Sequence, residues 1–106
     1  MDPAIDRAHL AAQSGGDSEL AQEVLGLFAQ QCRDLLPRIV DTSLDAPTRA
    51  DLAHTLKGSA LGVGAADVAR ASGSVENALR RGEPATRSVG VLEKRVSAAL
   101  DEIAGA

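Results

Sequence analysis

Apolar residues return along this chain at three- and four-residue steps, the period that aligns one face of an α-helix. Five helices follow from that period and its interruptions. Residues 4–13 predict a short helix carrying Ile5, Ala8, Leu10 and Ala12, stopped at Ser14-Gly15-Gly16. Asp17 then offers a side-chain oxygen to the free N–H groups of a new helix start. Leu20, Val24, Leu27, Phe28, Leu35 and Ile39 supply one buried face of this second helix, up to about residue 43. Pro37 lacks an N–H and crowds the preceding turn, so a kink is expected there, with a complete break as the alternative. Asp45-Ala46-Pro47 marks the turn into a third helix, 47–62, which buries Leu52, Leu56, Ala60 and Val63 and is stopped by Gly62 and Gly64. The fourth, 65–82, buries Val68, Ala71 or Ser72, Val75 and Leu79, and closes at Gly82 and Pro84. The fifth, 85–104, buries Val89, Leu92, Val96, Leu100 and Ile103. Four long amphipathic helices with short connections predict an all-α fold, an antiparallel four-helix bundle with a short additional N-terminal helix. One domain spanning 1–106 is the expected organisation.

Composition supports this reading. Ala (20) and Leu (13) outnumber the 16 β-branched or aromatic residues that lose side-chain freedom in a helix. At 106 residues the chain can enclose one modest core and has no room for a nucleotide-binding domain beside a second domain. Fifteen acidic and eleven basic side chains give a net charge of −4, with the acidic excess confined to residues 1–50. That balance, with Phe28 as the lone aromatic, argues against nucleic-acid binding. No apolar run reaches 18 residues, and Met1-Asp2-Pro3 does not open a charged-then-apolar signal segment, so a cytoplasmic location is expected. Cys32 has no partner for an internal disulfide and is read as a small apolar residue of the bundle.

The candidate chemistry lies in the third helix, in Ala53-His54-Thr55-Leu56-Lys57-Gly58-Ser59-Ala60. At 100° per residue, His54 points about 200° away from both Leu52 and Leu56. With those leucines in the core, His54 faces water. Lys57 and Gly58 follow three and four residues later on the same outward stripe. An exposed interior glycine costs a helix about 1 kcal/mol relative to alanine and has no packing reason. Its use here is to clear the approach to the imidazole, while the Lys57 ammonium suits an anionic group carried on the ring.

The stretch from Ala53 to Ala60, continued by Leu61-Gly62-Val63-Gly64-Ala65, resembles the signature of histidine-containing phosphotransfer (HPt) domains. The likeness extends upstream to Gly15-Gly16-Asp17 and Leu27-Phe28, and downstream to Val75-Glu76, covering most of the chain. It implies a four-helix bundle that shuttles phosphoryl groups between receiver-domain aspartates without catalysing the transfer alone. It implies His54 as the phosphoacceptor through Nε2, Lys57 near the phosphoryl group and Gly58 giving access. In many members a Gln or Glu on the following helix bonds the other ring nitrogen, and Glu76 occupies that position here. A carboxylate accepting Nδ1–H would fix the tautomer that leaves Nε2 free as nucleophile. Asn77, about 100° around the helix, is less suited.

On this reading the chain is a phosphocarrier, not an enzyme, and works as a monomer with a response-regulator receiver, a hybrid histidine kinase, or both. Mg²⁺ is expected on the receiver and no cofactor on this chain. The alternative is a helical interaction module that docks on such partners without being phosphorylated. Docking would rely on aliphatic groups, with Leu10, Leu61, Leu20 and Val24 as candidates. Arg70, Arg80, Arg81 and Arg87 are read as a solvated basic face that could meet an acidic receiver surface. His9 has no Lys-Gly companion and is read as a surface residue. His9, Cys32 and His54 have no metal-ligand spacing, so no metal is expected.

Overall fold

The computed structural model describes residues 3–105 and shows five helices and no strand among them. They are α1 (Arg7–Gln13), α2 (Ser18–Val40), α3 (Ala46–Val63), α4 (Ala66–Arg80) and α5 (Thr86–Ala104). Helices α2 to α5 close a ring, with α2 against α3, α3 against α4, α4 against α5 and α5 back against α2, while α1 packs on α3 and α2. Connections of two to five residues force consecutive helices to reverse direction. The register of α3 against α4 shows this directly. His54 faces Glu76, Asp51 faces Arg80 and Lys57 lies over Gly73, so positions advance on one helix as they fall on the other.

Aspartates set the starts of α1, α2 and α3, while α4 and α5 begin after Ala65 and Ala85 without a side-chain cap. The Asp17 carboxylate accepts the backbone N–H of Glu19 and of Leu20, at 3.0 and 3.1 Å. Asp45 does the same for Thr48 at 2.8 Å, with Pro47 in the first turn, and Asp6 caps α1 through the His9 N–H at 3.1 Å. This Asp6 cap moves the start of the first helix from residue 4 to Arg7, because the Asp6 N–H is already given to the Gly64 carbonyl at 2.9 Å. Ile5, expected on that helix, is instead fully buried ahead of it, its N–H held by Glu102 at 2.7 Å.

Helix α2 passes through Pro37 without a break and ends at Val40, three residues short of the expected end. The Asp41 carboxylate turns the chain there by accepting from Ser43. Helix α3 runs through Gly62 to Val63, so only Gly64 acts as the stop, in the left-handed conformation (φ 79°). A side chain at Gly64 would also collide with the Asp6 carbonyl, 2.9 Å from where its Cβ would sit.

The core contains Leu25, Phe28, Cys32, Leu35 and Ile39 of α2, Leu56 of α3, Val68 and Val75 of α4, and Leu92 and Val96 of α5. The buried stripe of α2 therefore differs from the sequence reading. Leu27 is 66% exposed and Leu20 is exposed, while Leu25 and Cys32 point inward. Small Cys32 and Ala29 lie on the true stripe, which a pattern built from large apolar residues skips. Leu52, Leu100 and Ile103 are only half-buried, at the margins of the core. Leu10, a docking candidate, is 3% exposed and packs inside, since α1 lays that side chain into the bundle. Val24 is half-buried.

Candidate functional site

Helices α3 and α4 pack against each other, with alanines 50, 53 and 60 of α3 and Ala69 and Ala71 of α4 buried in the core. Side chains that flank this packing meet across it. His54 stands on the outward side of α3 with its side chain 67% exposed, as its angular separation from Leu56 predicted. Its Nδ1 lies 3.1 Å from Oε1 of Glu76 on α4. The Glu76 side chain is only 12% exposed. A carboxylate is acceptor-only, so this contact assigns Nδ1–H to the ring, and in the neutral imidazole that leaves the lone pair on Nε2. Among the described residues Nε2 has no hydrogen-bond partner.

The second oxygen of Glu76 is also engaged. Arg80, one turn further along α4, donates Nε–H to Oε2 at 2.9 Å. The same guanidinium reaches back to α3 and donates from Nη2 to Asp51 at 3.0 Å. Burial by itself raises the Glu76 pKa, but the hydrogen bonds from Arg80 and His54, with the charges they carry, outweigh it and hold the carboxyl below its ordinary range. Glu76 is therefore a carboxylate at neutral pH.

Lys57 reaches over the neighbouring helix α4. Its stem crosses α4 above Gly73, where an added Cβ would lie 3.6 Å from the Lys57 Cδ. The side chain is half-buried and forms no ion pair among the described residues. At Gly58 the surface is open, since a Cβ built there meets nothing within 4 Å. Below Lys57 an open groove of about 410 Å³ runs between α3 and α4, bounded by Leu61, Arg70, Ser74 and Asn77. Leu61 is 53% exposed there.

Arg80 lies on the exposed face, but its guanidinium is paired there with Glu76 and Asp51. Arg70 is paired with Asp67. Sequence reasoning missed both Asp51 and Arg80 as members of the site. The Glu76 to Arg80 spacing of four residues was a usable signal; the tie to Asp51 needed the register of α3 on α4. Cys32 lies in the core, and burial pushes its thiol up to about 11. His9 is half-buried, and its shielded Nε2 has no hydrogen-bond partner among the described residues, which departs from its reading as a simple surface residue. Among the described residues no cluster of three or more His, Cys, Asp or Glu could hold a metal ion. No described helix is long and apolar enough to cross a membrane.

The fold and site define an all-helical bundle that presents one exposed histidine, its inner nitrogen held by a carboxylate of the next helix. The model of the Hpt domain family matches residues 23–106, and the chain belongs to that family. The match takes in α2 from its second turn, all of α3 to α5 and every residue of the site. Hpt domains transfer phosphoryl groups in two-component signalling, interact with receiver domains or histidine kinases, and lack kinase activity of their own. Comparison with curated proteins and with solved structures finds no match.

Proposed function

We propose that this chain is a phosphorelay intermediate in which His54 accepts a phosphoryl group from the aspartyl phosphate of a receiver domain, or from a kinase module, and passes it to another receiver aspartate. The observation that carries this reading is the His54–Glu76 contact on an exposed face. The free Nε2 lone pair attacks phosphorus, the N–P bond forms, and the acyl phosphate O–P bond breaks with its electron pair leaving on the aspartate. No proton has to leave the ring, because Nε2 carries none. The ring becomes cationic, and the Glu76 carboxylate beside Nδ1–H stabilises that charge. Return of the phosphoryl group to a second aspartate reverses the step.

Gly58 leaves room for the donor, and Lys57 supplies positive charge one turn from the acceptor. That contribution is about 1 kcal/mol or less for an exposed contact, enough to orient a phosphoryl group and too little to drive transfer. Mg²⁺ belongs to the receiver in this scheme, and the chain itself works as a cytoplasmic monomer. The α3–α4 groove, with Leu61 as its apolar floor and Lys57 beside it, suits the acidic, partly apolar face of a receiver.

The test compares wild type with His54→Gln after incubation with phosphoramidate and with phosphorylated receiver domains. Acid-labile phosphate on wild type and none on the variant is expected. Equal labelling of the two proteins refutes His54 as the acceptor. Receiver binding without any labelling would instead establish the non-phosphorylated docking module.

A further inference from the structure

Four side chains from two helices form one chain of contacts: His54 to Glu76 at 3.1 Å, Glu76 to Arg80 at 2.9 Å and Arg80 to Asp51 at 3.0 Å. Asp51 lies one turn before His54 on α3, so the chain leaves that helix at one position and returns to it at the adjacent turn. Glu76 has two oxygens, and each has one donor. A glutamate side chain has three rotatable bonds, and fixing them costs conformational entropy. The single His54 contact, at the rim of an exposed ring, returns an amount of the same order. Glu76 held by His54 alone would therefore divide its time between the ring and water. The guanidinium changes this, because its planar donors fix the carboxylate on one side and Asp51 on the other.

We propose that Arg80, braced by Asp51, is a positioning residue for the phosphoacceptor: it locks the Glu76 carboxylate in the orientation that selects the Nδ1–H tautomer of His54. Arg80 does not touch the transferred group. It acts through Glu76, and Asp51 acts through Arg80. The functional consequence rests on the phosphorelay reading above; the tautomer itself does not. Losing the lock exposes His54 to a mixture of tautomers, in which the Nε2–H form cannot attack phosphorus.

The experiment uses the full chain, with ring ¹⁵N shifts of His54 reporting the tautomer and phosphoramidate as a small phosphodonor. Wild type is expected to hold predominantly Nδ1–H. Arg80→Gln is expected to populate the Nε2–H form and to slow phosphorylation by roughly three- to tenfold, the equivalent of part of one charge-assisted hydrogen bond. Arg80→Lys restores part of both readouts. Asp51→Asn shifts the tautomer in the same direction by a smaller amount, and carries the test if Arg80→Gln folds poorly. Added to Glu76→Ala, Arg80→Gln changes the rate by no more than about twofold, since its route of action is already gone. An unchanged tautomer ratio in both Arg80→Gln and Asp51→Asn, or losses that multiply in the double variant, overturns the proposal. Failure of wild type to take phosphate would refute the carrier reading alone, with the tautomer measurement still deciding the role of Arg80.

Discussion

Gly58 is the position where stability and function should move in opposite directions. It sits inside α3, four residues after His54, and a Cβ built there meets nothing within 4 Å. Alanine therefore fits, and the gain in helix propensity is about 0.8–1.0 kcal/mol. For a domain of this size that raises Tm by about 4 °C. The same free space makes a long side chain harmful to transfer. Positions four apart on a helix have Cβ atoms about 5–6 Å apart, so glutamate at 58 puts its charge next to the incoming phosphoryl group. In water, unit charges at about 6 Å repel by about 0.7 kcal/mol, and a phosphoryl group close to a dianion doubles that to about 1.4 kcal/mol, near tenfold in rate. Gly58→Gln has the same bulk without the charge, so the ratio of its rate to that of Gly58→Glu isolates electrostatics from steric blockage. Phosphorylation rates at low and high salt, with thermal melts of the same proteins, make the assay. The expected result is a Tm raised for Gly58→Ala, a slow rate for both long variants, and a Glu-to-Gln gap that narrows as salt screens the charge. Rates equal to wild type for Gly58→Glu, in a protein that melts normally, refute the access role.

Three further outcomes follow from the packing and the charges. The Ser72 hydroxyl is fully buried without a hydrogen-bond partner among the described residues, so Ser72→Ala should stabilise the fold by about 1 kcal/mol in urea unfolding; a loss of stability would mean that the hydroxyl is satisfied. Gly64→Ala should cost about 2–4 kcal/mol in the same assay, from the left-handed backbone and the collision with the Asp6 carbonyl; a neutral result would show that the α3–α4 turn relaxes freely. Bonds from the Thr48 side chain and N–H hold the Asp45 carboxyl below its ordinary 3.8, so its contribution is complete above that value and disappears as pH falls through the lower folded value. Asparagine caps equally well without titrating; wild type should lose more stability than Asp45→Asn between pH 7 and pH 2, and parallel profiles would remove the cap from the acid response.

Hydrophobic period, aspartate caps and glycine stops act within a few residues of one another, so they are legible along the chain. They place five helices, mark the starts after Asp17 and Asp45, and set His54 opposite Leu56 on an exposed face. The resemblance to HPt domains adds Glu76 as the partner of the ring. Errors fall where small residues take part. Cys32 and Ala29 line the buried stripe of α2, and Leu27 is exposed, because close helix packing selects for small volume as readily as for apolarity. Leu10 is buried for the complementary reason: the direction in which α1 lies depends on the Asp6–Gly64 contact between distant parts of the chain.

The helical class, the exposed histidine and the open glycine beside it can all be read from residue order, since each depends on a local angle or a local propensity. Their surroundings come from how the helices pack. The register of α3 on α4 brings Asp51 to Arg80 and His54 to Glu76 across more than twenty residues of chain, and lays Lys57 over Gly73. Those contacts depend on how two helices slide and rotate against each other, which no local stretch of the chain specifies.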